Sequence, residues 1–186
     1  TTVEGSTATL TAGRHLTNVA VDADTLATLT AAQNVSGSSV SATAPGGVVN
    51  ITATAGNIQG TTALSSDTMG LTAGKEIDGS DFTAAGDIAI TAADLAASSF
   101  ISEGGNITVN PLANIIDTTI WAKTGSVTFI GAGVSGEIDG TTISSGTGLT
   151  ITNAAWIVGS NLIAENGLLD VTATTIDGSE LLSKKG

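Results

Sequence analysis

Apolar residues in this chain come in short apolar-x-apolar bursts, and between the bursts stand apolar pairs held five residues apart. Both spacings are visible in EIDGSDFTAAGDIAITAADLAASSF, residues 76–100, where Ile88-Ala89-Ile90 is a burst and Ile77 and Phe82 form a pair. Period-two alternation puts its apolar members on one side of an extended strand. A five-residue gap breaks that period, so the residues between must turn a corner if both ends point inward. Long helical pattern is absent, which excludes a parallel sheet covered by helices. Short strands joined by turns are expected throughout.

The corner repeats. In chain order its versions read VEGSTA, LTNVAV, VSGSSV, IQGTTA, IDGSDF, LAASSF, IIDTTI, IDGTTI, IVGSNL and IDGSEL, beginning at Val3, Leu16, Val35, Ile58, Ile77, Leu95, Ile115, Ile138, Ile157 and Ile176. The first step is 13 residues and the others run from 18 to 23. The first and sixth positions are apolar in all ten copies, the third is Gly in seven and the fourth is Ser or Thr in nine. A residue without Cβ is the cheapest way to turn so sharply. Before each of the last nine corners lies a burst such as Ala8-Thr9-Leu10, Val49-Asn50-Ile51 or Leu169-Asp170-Val171.

Self-similarity at a period near 20 residues predicts a solenoid. Each repeat makes one coil and lies on the next at about 4.8 Å, so ten motifs give a rod of roughly 45 Å. A β-sandwich also spaces its strands closely, but it gives no reason for a Gly-Ser/Thr corner at one phase of most periods. The expected fold is all-β: a single-stranded parallel β-helix of about 9–10 coils of roughly 19–20 residues, one domain over residues 1–186. The residues leave its hand open. Ladders of Ile, Val, Leu and Ala should fill the interior, with Phe82, Phe100 and Phe129 in the wider coils.

The same phase sorts the outward positions into ladders. The residue after each burst is Thr11, Thr30, Thr52, Thr72, Thr91, Asn110, Ile130, Thr152 and Thr172, and the residue inside it runs Thr9, Thr28, Asn50, Gly70, Ala89, Thr108, Thr128, Thr150 and Asp170. Exposed strands favour Thr for its branched side chain alone. Regularly spaced Thr hydroxyls and methyls also have the chemistry of an ice-binding face, and Thr9, Thr11, Thr28, Thr30, Thr150 and Thr152 are its candidate residues. The position before each corner is His15, Asn34, Asn57, Glu76, Asp94, Asn114, Glu137, Trp156 and Thr175, a second outward ladder. Glu76 and Asp94 fall on neighbouring coils, where paired carboxylates can share a proton or bind Ca²⁺. An exposed Trp156 is a candidate surface for stacking on a sugar or anchoring a protein contact. Trp121 has no clear facing.

Composition narrows the chemistry. The formal charge is −12, from 17 acidic and 5 basic residues, which disfavours nucleic acid and anionic membrane surfaces. There is no Cys, so neither a disulfide nor a thiolate metal site is available. No apolar run reaches transmembrane length. Polysaccharide-cleaving solenoids need clustered acid–base groups and long loops that wall a cleft. Here Arg14, Lys75, Lys123, Lys184 and Lys185 are scattered, the only His is His15, and no period exceeds 23 residues. The expectation is a chain that is not an enzyme, with no catalytic, cofactor or metal residues to assign.

Runs such as AAGDIAITAADLAASSF, GGNITVN, SSGTGLTITNAAWIVGSNL and ENGLLDVTATTIDGSEL resemble the repeats of filamentous-haemagglutinin-type exoproteins. Those are large bacterial surface adhesins, usually secreted by two-partner systems, with right-handed β-helical shafts. The likeness is one of repeat style over essentially the whole chain. It implies a right-handed rod, secreted to the bacterial surface, acting as a spacer, fibre or adhesin. Coils reaching both termini lead to the further expectation that the rod continues in the same chain or stacks end to end on a second copy. The alternative is a binding module with a glycan- or ice-binding face.

Overall fold

The computed structural model describes residues 1–111, 113–130 and 134–185. Among these there are 24 strands and no helix, and every strand pairing is parallel, between one coil and the next. The chain is a β-solenoid, as the corner spacing predicts. Leu16, Val35, Ile58, Ile77, Leu95, Ile115, Ile138, Ile157 and Ile176 form one column of direct register partners, marking nine rungs.

Each rung has three faces. The first holds the short strands that begin the corner, such as Ile58–Gln59, Glu76–Asp78 and Asp94–Ala96. The second follows the corner, as in Thr62–Ser65, Asp81–Ala84, Ser99–Ser102 and Thr119–Ala122. The third contains the apolar-x-apolar bursts, as in Val48–Ala53, Met69–Ala73 and Ile88–Ala92. In the middle rungs the turns between faces are brief. At the two ends single long strands such as Thr2–Ala12, Ala20–Ala31 and Leu149–Val158 run across two faces.

The phase departs from expectation at one point. Val3 does not begin a corner: it pairs with Val21, the sixth residue of LTNVAV. It heads the column Val3, Val21, Val40, Ala63, Phe82, Phe100, Ile120, Ile143, Leu162 and Leu181 on the second face. The 13-residue first step is therefore an accident of VEGSTA resembling a corner, rather than a shortened coil. Gly5 agrees, with φ of 158° where the true corners lie between 46° and 58°.

The corner itself has two chemical parts. Its third residue is left-handed in every rung: Asn18, Gly37, Gly60, Gly79, Ala97, Asp117, Gly140, Gly159 and Gly178. Glycine, Asn and Asp tolerate that region, which explains eight of the nine residue types. Ala97, with φ of 46°, carries the penalty of a Cβ there.

The fourth residue turns inward. Ser38, Thr61, Ser80, Ser98, Thr118, Thr141 and Ser160 are buried despite their hydroxyls. Each hydroxyl donates to the carbonyl two residues earlier, as Ser80 does to Asp78 at 2.9 Å and Thr141 to Asp139 at 3.0 Å. Many also accept the corner N–H of the preceding rung: Thr61 N–H donates to Ser80 at 3.1 Å, Ser80 N–H to Ser98 at 3.1 Å, and Ser160 N–H to Ser179 at 3.1 Å. The turn takes these amides out of the backbone ladder, and a buried unpaired N–H costs about 1–3 kcal/mol. The hydroxyl column satisfies them.

The remaining inward positions are aliphatic and closed to solvent, including Ile51, Ile58, Ile77, Leu95, Ile107 and Ile120. Phe82 and Phe100 are register partners whose rings stack with centroids 5.3 Å apart. Phe129 is buried on the third face beside Val109. On the turns, successive rungs touch backbone to backbone: a Cβ on Gly125 would overlap the Gly105 carbonyl oxygen, far inside van der Waals contact.

Candidate functional surfaces

A solenoid has no cleft by default, so its function lies in what each face presents. The third face carries the threonines where the spacing places them. Thr11, Thr30, Thr52, Thr72, Thr91 and Asn110 are consecutive register partners, as are Thr9, Thr28 and Asn50, and further along Thr108, Thr128 and Thr150. Thr9 and Thr11 are exposed; Thr28, Thr30, Thr150 and Thr152 are half-buried by neighbouring side chains. One break occurs near the end. The register shifts between Ile151 and Ala154, with Asn153 at φ of 58°, so the pairing of this strand with Leu169–Asp177 lapses just after Ile151, at Thr152.

The first face is acidic. Glu76, Asp78, Asp94, Glu137, Asp139 and Asp177 all belong to its strands. Glu76 and Asp94 are direct register partners. Burial, then the neighbouring charges of Asp78 and Asp94, raise the Glu76 carboxyl above the usual range. Asp94 is engaged from the next rung, its Oδ1 accepting the Asn114 backbone N–H at 2.9 Å and the side-chain Nδ2 at 3.0 Å. Asn114 Oδ1 in turn accepts Glu137 N–H at 3.1 Å. The ladder read as outward polarity thus also ties rungs together. Among the described residues no three His, Cys, Asp or Glu side chains are grouped to hold a metal ion. Trp156 lies on this face between Glu137 and Thr175 and is 56% exposed. His15 is exposed on the first rung.

The second face holds what the sequence reading left without a facing. Leu64, Thr83, Ile101, Trp121, Ser144, Ile163 and Leu182 are successive register partners, each one residue past an inward member of the Phe82–Phe100 column. Leu64 is 49% exposed and Trp121 41%. Lys123 Nζ sits 4.9 Å from the Trp121 ring centroid, a cation–π contact, and pairs with Glu103 at 2.6 Å. A shallow depression of about 260 Å³ opens beside Leu64 and Thr83, with Thr43 and Glu103 at its rim. The signal for this row was present: the sixth corner position points in, so the seventh points out.

The chain therefore shows three different exteriors on one scaffold: acidic, threonine-rich, and one marked by large apolar groups with charges towards its ends. The basic residues are not brought together. Lys123 and Lys184 are each held by a glutamate, Glu103 and Glu165, at 2.6 and 2.7 Å. Compared with protein-family models, with curated proteins and with solved structures, the chain finds no match.

Proposed function

We propose that this chain is a non-catalytic structural rod, a stiff segment of an extracellular bacterial fibre or surface adhesin, which continues at its ends in like coils or in a second copy. The observation that carries this reading is the unbroken stack. Nine rungs repeat one corner and one burst, and side chains are spent on binding each rung to the next. A parallel stack of this kind resists bending because every rung is tied to its neighbours on three faces. The filamentous-haemagglutinin resemblance of the repeats gives the setting.

Immunogold labelling of intact bacteria with antibody against this chain tests the setting. Gold along surface fibres is expected; label confined to the cell interior would contradict it. Sedimentation velocity separates the two ways of continuing: growth into longer rods with concentration is the mark of stacking on a second copy.

A binding role has one specific observation in its favour, the run Thr11, Thr30, Thr52, Thr72 and Thr91 on consecutive rungs. Thermal hysteresis is its test for ice. Glycan-array binding lost in Trp156→Ala is its test for sugar.

A further inference from the structure

We propose that the second face is a lateral docking surface for a second copy of this chain, the two rods lying antiparallel and face to face about a two-fold axis at the Trp121 rung. Three observations converge on it. The face carries the longest row of large outward apolar groups among the described residues, Leu64, Ile101, Trp121, Ile163 and Leu182, on a parallel sheet. Where the row is richest its strands carry no charged side chain, and the Lys123 ammonium beside the Trp121 ring, just past the strand end, is neutralised by Glu103. Between Asp81 and Glu180 its outward positions are Ser99, Ile101, Thr119, Trp121, Thr142, Ser144, Asn161 and Ile163. On the first face the same stretch of rod carries Asp94, Glu137 and Asp139. Depletion of unpaired charge near an aromatic centre distinguishes the core of an interface from ordinary surface.

The third observation selects the occupant. Reversed about Trp121, the row complements itself. Thr83 falls opposite Ile163 and Ile101 opposite Ser144, so small groups meet bulky ones there and Ile163 is aimed at the depression beside Thr83, while Leu64 meets Leu182 and Trp121 meets its own copy on the axis, apolar against apolar. In the neighbouring row Asp81 falls opposite Asn161 and Thr62 opposite Glu180, so no carboxylate faces another. For a chain of formal charge −12, this is a face on which two copies approach without opposing their acidic ladders. Parallel rods would instead set Asp81 and Glu180 level with their own counterparts.

The contact is small. Six rung spacings of about 4.8 Å and a four-residue strand of about 13 Å give roughly 400 Å² per copy. Standard interfaces bury about 800 Å² per partner, so an isolated pair is weak, and many rungs of a longer rod acting together would make it firm. This pairing does not depend on whether the rod continues at its ends.

Sedimentation equilibrium of the chain from micromolar to millimolar concentration should show reversible dimers. Trp121→Glu should abolish them while Thr91→Glu, on the third face, leaves them; circular dichroism checks that both variants keep their strands. A chain monomeric throughout, or dimers indifferent to Trp121→Glu, would overturn the proposal, and the latter is what association through end rungs alone would give. Because the chain has no Cys, single cysteines report geometry cleanly. An oxidised mixture of Ile101→Cys and Ser144→Cys should cross-link at least roughly tenfold faster than either variant alone. Faster linking of Ile101→Cys with itself would set the rods parallel and overturn the antiparallel arrangement.

Discussion

Ile157 and Ile176 occupy the same position on successive rungs and are direct register partners, yet Ile157 is closed to solvent and Ile176 is 45% exposed. Leu162 and Leu181 repeat the contrast one corner later, at 0% and 38%. Residue type does not differ at these positions, and both pairs are in direct register. What differs is a rung on the far side. Burial in this fold is therefore a property of neighbours, and stability should behave as a sum of rung–rung contacts, with enclosed positions counting about twice.

Truncating an enclosed side chain sharpens that contrast most. Ile77→Ala should cost about 3–4 kcal/mol in urea unfolding, in the range of buried Ile truncations, and Ile176→Ala about 1 kcal/mol. Equal costs would break the comparison. The corner hydroxyls come next. Ser80→Ala strands the Thr61 N–H and should cost about 1–3 kcal/mol. Ser179→Ala, on the open rung, should cost less, because water reaches the amide it serves. Ala97→Gly should stabilise by about 1 kcal/mol, since it relieves a left-handed Cβ in an enclosed rung. A neutral or destabilising result would mean that the lost side-chain packing outweighs the relief.

The smallest effect is a pH effect. The folded Glu76 carboxyl titrates above its unfolded value, so the folded state holds its proton more tightly. Its ionisation therefore weakens the fold as pH rises through the interval between the unfolded and folded values, and below that interval the penalty is absent. Glu76→Gln should raise the melting temperature at neutral pH, with the gain vanishing in acid. A gain that persists in acid would point to packing rather than charge.

Much of this architecture is legible in the sequence, because the fold writes each requirement many times. Ile58, Ile77 and Leu95 stand in register as the corner phase demanded, and the Thr11 to Thr91 ladder follows from it. The errors fall where local chemistry imitates the repeat or where the repeat hides a second reason. VEGSTA has a corner's residues, but Gly5 is nearly extended, and only the pairing of Val3 with Val21 reveals it. The sequence shows the fourth-position Ser and Thr only as part of a turn, whereas their constancy reflects buried amides needing an acceptor. Trp121 was missed because Ile120-Trp121, like Phe100-Ile101 and Leu162-Ile163, is an apolar doublet. Hydrophobicity alone does not say which member points in; the phase of the column does.

The stack itself is tested most directly by electron–electron distance measurements between paired spin labels on the threonine face, with cysteines placed in this Cys-free chain. Thr11 and Thr91 lie four rungs apart and Thr9 and Thr150 seven, so stacking at about 4.8 Å per rung gives separations of about 19 Å and 34 Å. Distances that grow in proportion to the number of rungs are the predicted result. Separations unrelated to rung number, as two packed antiparallel sheets would produce, would contradict the solenoid and everything inferred from its faces.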